Sequence, residues 1–363
     1  MKREVFFPPV GIVHITNNIT DLIKYKLKGK NKVIINTSAQ PNSSPHLGTI
    51  TTIMSCFALA KHIKTTLNID SEIQFDELEN SPCEKVEYDG VLYYRDQKHS
   101  YNENGKTFEE INMNGFKEIL DAISEYSNVN YTIRTYNDFQ KNTSVRKAVI
   151  DIVNDKEFFK ELLFPSTNEL HIRSLCPECG LGRKEINDLD LSLEDDIITL
   201  KEQCPIHGEY TTVIKSDNSD YVDINTQFRD LTKGIAITDE DKQNNTLTIM
   251  LDGGDWGGTW SQRIHTEGMV RLGYNDFPIR LYAPVILDWS GAKFSKSLYL
   301  KENSYKDINQ AFVNYDNFKR IYTEKGLFKL WQEVESWISE PKRFFRNYTV
   351  DYFMEVMEGG CNE

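Results

Sequence analysis

The residues of this 363-residue chain that are typed and spaced for chemistry fall into four short segments. Cys176-Pro-Glu-Cys179-Gly and Cys204-Pro-Ile-His207-Gly form two knuckles of the same design. Each places two donors three positions apart, and the glycine that follows permits the chain to turn back. Together Cys176, Cys179, Cys204 and His207 are the ligand set of a closed, tetrahedral Zn2+ site of ribbon type. Four protein ligands leave no open position, so the metal's role would be structural. The bland account, four unrelated reduced side chains, fits poorly with the repeated Cys-Pro-x-Cys/His-Gly form.

The other three segments suit phosphate chemistry. In Pro45-His46-Leu47-Gly48-Thr49 a histidine stands where a helix is expected to begin. It could donate to a phosphate in a transition state. Gly48 omits a Cβ that would obstruct a nucleotide, and the first-turn amides add further donors. The same letters also suit a capping histidine ahead of a core helix. Gly253-Gly254-Asp255-Trp256-Gly257-Gly258 follows the apolar run LTIMLD. Its glycines let backbone approach a ligand, and Asp255 could accept from ribose hydroxyls; a tight surface turn is the plain alternative. Lys293-Phe294-Ser295-Lys296-Ser297 follows a strand-like run and a Ser-Gly turn. Two lysines three apart on a mobile loop could clamp the β- and γ-phosphates as charge moves to leaving pyrophosphate, or be an ordinary solvated loop.

Elements must position these segments. Residues 31–37 (NKVIINT) read as a short buried strand. A loop with two prolines follows, and from His46 to about Lys64 the apolar spacing is helical. Strand, loop and helix make the first unit of a βαβ fold, in which ligands sit at the carboxyl end of the strand. Residues 71–75 read as a second strand, 88–108 as a hairpin or loop, and 108–126 and 144–163 as amphipathic helices. Residues 226–300 return to strand-like runs, and 305–357 read as helical, punctuated by Pro341. The expected fold is α/β, a doubly wound, Rossmann-like parallel sheet. Residues 1–169 and 226–300 form its two halves, 170–225 a zinc-binding insertion and 301–363 a short helical C-terminal tail.

Composition sets the outer limits. Hydrophobic residues make up 39% and charged residues 27% of the chain, ordinary for a globular protein. No run approaches the roughly 20 apolar residues of a membrane span. The N-terminal stretch, interrupted by Pro8, Pro9 and His14, does not read as a secretory signal, so the cytoplasm is expected and no membrane partner. The net charge of −13 argues against a strong non-specific grip on a phosphate backbone. The six cysteines do not suggest a secreted disulfide framework, and Cys56 reads as core. His265 reads as a surface or packing residue, and Arg263 as a weak candidate for a phosphate or carboxylate contact.

The pair His46-Leu47-Gly48-Thr49 and Lys293-Phe294-Ser295-Lys296-Ser297, in that order with Gly253-Gly254-Asp255 between, resembles the two signatures (HIGH and KMSKS) of class I aminoacyl-tRNA synthetases. Within the class the chain looks most like class I lysyl-tRNA synthetase, a family that tends to lack the second histidine and carries cysteine-rich zinc elements. The resemblance covers roughly residues 30–300. It implies a HIGH-superfamily nucleotidyl-transfer domain that uses ATP and Mg2+, besides structural Zn2+, to activate an amino acid as its adenylate. His46 and Gly48, with Pro45 and Thr49 beside them, would contact ATP. Gly253, Gly254 and Asp255 would line the ribose and amino-acid side. Lys293 and Lys296, with Ser295 and Ser297, would hold the phosphates, and Thr37 and Ser38 would begin the amino-acid pocket. Thr49 stands where the commoner motif has a histidine, and Phe294 where it has methionine. Residues 298–363 are shorter than that family's helical, anticodon-reading region, so the expected acceptor is either tRNA or another acceptor, a small amine or carrier protein. A lysine substrate would want a facing carboxylate, for which Asp76, Glu77 and Glu79 are candidates unless they form a solvated acidic turn. A nucleotidyltransferase acting on a phosphorylated small molecule and a non-catalytic zinc-stabilised binding module are the competing classes.

Overall fold

A computed structural model describes residues 19–183, 191–218, 220–258, 260–294, 308–339 and 341–359. After a short helix α1 (Ile19–Lys26), strand β1 (Lys32–Ala39) leads through the proline-bearing loop into helix α2 (Leu47–Leu67) and strand β2 (Asp70–Glu77). A hairpin of β3 (Pro82–Tyr88) and β4 (Val91–Asp96) precedes helix α3 (Phe108–Ser127) and strand β5 (Tyr131–Thr135). Helix α3 opens with a full capping box between Thr107 and Glu110. Three helices follow, α4 (Tyr136–Gln140), α5 (Thr143–Asn154) and α6 (Lys156–Leu163), so the helical run expected over 144–163 is divided at Asp155.

The cysteine-bearing segment contains β6 (Ile172–Arg173), β7 (Leu181–Arg183), β8 (Leu191–Glu194), β9 (Ile197–Cys204), β10 (Gly208–Ile214) and β11 (Asp223–Ile224). Strands β8, β9 and β10 form an antiparallel ribbon, whereas β7 pairs with β4 of the earlier hairpin. Helix α7 (Thr226–Asn244) then returns the chain to strand β12 (Thr246–Gly253). One short helical turn (Gly254–Trp256), a wide π-type turn (Trp260–Glu267) and helix α8 (Gly268–Arg271) lead to β13 (Ile279–Ala283) and β14 (Ile286–Leu287). Helix α9 (Tyr315–Ser339), broken at Thr323, is followed by α10 (Pro341–Phe344), β15 (Tyr348–Thr349) and α11 (Val350–Glu358).

The central sheet has five strands in the order β13-β12-β1-β2-β5, and every pairing is parallel. From β1 the chain winds through β2 to β5, then crosses back to β12 on the other side of β1 and continues outward to β13. The winding therefore reverses between β1 and β12. Loops leaving those two strands depart in opposite directions and open a crevice at their carboxyl ends, the ligand site of doubly wound folds.

The two faces of the sheet differ in chemistry. Val33, Ile35, Ile73, Phe75, Leu247, Ile249 and Leu251 share one buried core with α2, α3 and the C-terminal helices. The residues expected as a tail are part of that core: Trp331 and Trp337 of α9 and Phe353 of α11 are fully buried, and β15 pairs in parallel with β14. Alternate residues point to the opposite face, where the upper part of the sheet carries Asn36, Asp76, Arg134, Asp252 and Arg280. A second core, with Tyr136, Phe159, Ile198, Phe228 and Leu231 among its members, lies under α4–α7 and the ribbon.

Glu77, at the end of β2, is buried, and its Oε1 has no hydrogen-bond partner among the described residues. Burial, reinforced by Glu109 and Glu79, lifts its carboxyl from the ordinary 4.5 to about 7, against the pull of Lys117. Between those pH values the folded chain holds a proton that the unfolded chain has released, so stability falls as pH rises through that window. Glu77→Gln should therefore stabilise the protein by on the order of 1–3 kcal/mol at pH 8 and change little at pH 5. Urea unfolding at the two pH values checks this; an equal effect at both would show that Glu77 does not carry that proton.

Candidate functional site

The crevice at the winding reversal is a cleft of about 560 Å³. Thr37, Ser38, Pro45, His46, Gly48, Thr49, Gly253, Asp255 and Lys293 all line it, although they lie up to 256 positions apart in sequence. Gly254 does not: a Cβ there would meet Ala283 O and Val285 Cγ2, each at 2.8 Å, so this glycine is set by packing against the end of β13. Ser295, Lys296 and Ser297 lie outside the described residues.

His46 is both the expected cap and a wall of the cleft. It is the N-cap of α2, and its Nδ1 accepts from the Gly48 N–H at 3.0 Å. A neutral imidazole that accepts at Nδ1 carries its proton on Nε2, so the cap sets the tautomer that can donate to a ligand. Gly48 is explained by the same geometry. A Cβ on it would stand 2.9 Å from His46 Cε1, so a larger residue would push away the cap itself. Phe294 is buried and meets the His46 ring edge-on, with centroids 5.9 Å apart. The lysine-bearing loop is thus anchored beside the histidine. Asp288 tightens the turn before it by accepting from the Ser290 N–H (2.9 Å) and Ala292 N–H (3.2 Å). Lys293 Nζ ion-pairs with Asp255 Oδ2, so two groups expected to meet different parts of a nucleotide meet each other.

The other end of the cleft is formed by residues that sequence inspection did not single out. Thr226, Arg229, Asp230 and Lys233 all line it. At spacings of three, four and seven they share one face of α7. Lys233 Nζ lies 3.0 Å from Asp76 Oδ2, which also accepts from Asn36 Nδ2 (3.0 Å) and Arg134 Nη2 (3.1 Å). Burial works against the anion of Asp76, but Arg134 and Lys233 outweigh it and hold the carboxyl at about 2. On the other side, Asp230 meets His265 Nε2 (2.8 Å) and Arg280 Nη1 (3.1 Å), and Arg280 Nη2 lies 3.5 Å from Asp252. Burial likewise opposes ionisation of Asp230, and Arg280 and His265 drive its carboxyl far below the usual range. The charged stripe QFRDLTK ahead of a strand was the available signal; its value is clear only once the strand is known to flank the reversal.

Three further expectations are settled by position. Asp76, Glu77 and Glu79 are all buried, so they are not a solvated turn. Asp76 is held as above, and Glu79 accepts from the Tyr136 and Asn137 N–H groups (2.7 and 2.9 Å), so neither faces a cationic substrate with its charge unmet. His265 is a buried member of the Asp230–Arg280 network. Arg263 is exposed and pairs with Glu267 at 3.4 Å. Cys56 is fully buried in the core, as expected, and burial pushes its thiol well above the ordinary value.

The four metal-ligand candidates converge as well. Their donor atoms all lie within 4.8 Å of one another. Cys176 Sγ and Cys204 Sγ are 3.5 and 3.6 Å from His207 Nδ1, and Cys179 Sγ is 3.6 Å from Cys204 Sγ. These match the edges of a tetrahedron with metal bonds of about 2.0–2.3 Å. The glycine after each knuckle has positive φ, +69° at Gly180 and +86° at Gly208, which a side chain would resist. Glu178 stands 3.7 Å from His207 Nε2, on the ring nitrogen turned away from the thiols, where a carboxylate orients a ligating imidazole. Arg95 of the hairpin donates to Cys179 O at 3.0 Å and ties the knuckle to the sheet of β3, β4 and β7. The donor set fits Zn2+.

Neither protein-family models nor curated sequences give a match to this chain. Solved structures do. An arginyl-tRNA synthetase structure from Campylobacter jejuni aligns with 93% of this chain and 71% of its own, at 11% identity and a TM-score of 0.35. A glutamate-tRNA synthetase from Elizabethkingia anophelis aligns with 75% and 54%, at 12% and 0.33. A tryptophanyl-tRNA synthetase from Plasmodium falciparum aligns with 94% and 86%, at 12% and 0.37. Likeness at this level carries neither reaction nor substrate, and the cleft is read from its own residues. No helix among the described residues is long and apolar enough to cross a membrane.

The metal centre makes a direct prediction. Purified protein should hold roughly one zinc ion per chain, by elemental analysis. Chelation or Cys204→Ser should lower the melting temperature by at least several degrees, because metal binding is linked to folding. Metal-free protein that melts like the untreated protein would remove the site.

Proposed function

We propose that the cleft binds ATP on its β1–α2, β12 and β14 side and an amino acid on its β2, β5 and α7 side, and joins them as an aminoacyl-adenylate. The observation that carries this reading is the convergence of His46, the first turn of α2, Gly253 and Asp255 at the end of β12, and Lys293 on one crevice. A carboxylate oxygen of the amino acid attacks the α-phosphorus. A new O–P bond forms, the bond from the α-phosphorus to the bridging oxygen breaks, and pyrophosphate leaves with the electron pair. No proton is abstracted, so the reaction asks for positioning and charge stabilisation rather than a base. His46 Nε2–H and the amides of α2 would stabilise charge on the transferring phosphoryl group. Lys293 and Lys296 would hold the leaving pyrophosphate, with Mg2+ entering bound to ATP. Gly253 lines the cleft, and a Cβ there would meet Asp255 Oδ1 at 2.7 Å, so a larger residue would displace the carboxylate that pairs with Lys293.

The zinc ribbon stands apart from the chemistry as a structural element that would steady the surface where an acceptor, tRNA or a smaller amine or carrier, meets the activated group. A cytoplasmic location follows from that reading. The narrower assignment to lysine rests on sequence resemblance alone; of the carboxylates it pointed to, Asp76 and Glu79 are engaged, and Glu77 does not line the cleft.

Amino-acid-dependent exchange of pyrophosphate into ATP tests the reaction. One amino acid should support exchange, and Lys296→Ala or His46→Ala should slow it by on the order of 10²-fold, the cost of removing one preorganised stabilising group. Exchange that ignores every amino acid, or survives both substitutions, would contradict the assignment.

A further inference from the structure

Arg229 is 8% exposed, lines the cleft, and has no hydrogen-bonding or ion-pairing acceptor among the described residues. Every other described lysine or arginine that lines the cleft is matched. Lys233 pairs with Asp76, Arg280 with Asp230 and Asp252, and Lys293 with Asp255. A guanidinium cannot relieve its burial by losing a proton. An arginine left in this state inside a cleft is a socket for an anion.

Its position says which anion. Arg229 lies one helical turn before Lys233, and so above the Asp76 cluster at the β2 and β5 end of the sheet. The adjoining wall is Tyr136 and Phe139 of α4. Tyr136 is fixed there: its hydroxyl donates to Val222 O (2.8 Å) and accepts from Ile224 N–H (3.0 Å), just ahead of α7. The phosphate-binding groups are on the other side of β1. The carboxylate that attacks phosphorus must reach across to them, and gripping it with an arginine at this end would both hold it back and blunt it as a nucleophile. Arg229 therefore meets a second anionic group, on the amino acid's side chain.

We propose that the amino acid taken by this cleft carries a side-chain carboxylate, held by the planar fork of Arg229. This rests on the adenylate-forming reading and names its substrate class. It makes Arg229 a specificity residue rather than a group that acts on the reacting atoms.

The test combines binding and exchange on the full chain with zinc. Glutamate and aspartate are titrated in a calorimeter alongside lysine and leucine, ATP is titrated separately, and pyrophosphate exchange is run with each amino acid. An acidic amino acid should bind and support exchange. Arg229→Gln should raise its Kd and KM at least tenfold while leaving the Kd for ATP within twofold, and Arg229→Lys should recover part of the loss. Exchange driven by a neutral or cationic amino acid, with both acidic ones inert, would overturn this inference and leave adenylation standing. Weaker ATP binding in Arg229→Gln, equal to any loss for the amino acid, would assign the guanidinium to phosphate and overturn it too. Absence of binding and exchange with every amino acid would overturn the adenylation reading itself.

Discussion

Everything at the site depends on the reversal of winding between β1 and β12. Two neighbouring parallel strands whose outgoing loops leave in opposite directions cannot close over their own carboxyl ends. That gap lets the start of α2, Gly253 and Asp255 at the end of β12, and Lys293 after β14 face one another. The cap on α2 makes use of it. His46 satisfies an orphan amide of the first turn with Nδ1 and thereby places a proton on Nε2. One ring thus meets a local requirement of helix formation and, in the proposed reading, would also serve phosphate recognition.

The same gap has to be held open, and buried charge holds it. Helix α7 is fixed to β2 through Lys233 and Asp76, and to β13 through Asp230 and Arg280, two residues three apart on one helical face. Burying such charges costs several kcal/mol per ion unless each is matched. Asp76 meets that condition with three partners spread over β1, β5 and α7. The network fixes the width of the cleft more rigidly than apolar packing would, because directed contacts have fewer alternative arrangements. Arg229 is set on that rigid stripe.

Much of this was legible in the sequence. Strand, loop and helix over residues 31–64 have a simple pattern, and the two knuckles announce their ligands by spacing alone. The fold class followed from strands alternating with helices. What could not be read were pairings between distant segments. The hairpin at 82–96 adds a partner for β7 that no local signal marks. The C-terminal helices carry ordinary amphipathic patterns that do not say they complete the core around α2. Arg229, Asp230 and Lys233 drew no notice in the sequence, because a charged stripe at helical spacing is the ordinary pattern of a solvated face; only the sheet order reveals that this face looks into a crevice. Gly48 was noticed for a nucleotide's sake, and its nearest constraint is the imidazole two residues before it.

The central claim is that a carboxylate attacks the α-phosphorus of ATP in this cleft, and isotope transfer tests it most directly. The amino acid is supplied with 18O in its α-carboxylate, the activated product is trapped with hydroxylamine, and the nucleotide and phosphate are examined by mass spectrometry. Attack at the α-phosphorus predicts one 18O in AMP and none in inorganic phosphate. Label in inorganic phosphate with ADP as the nucleotide product would place the attack at the γ-phosphorus, and the positioning inferred for His46, Lys293 and Lys296 would be contradicted.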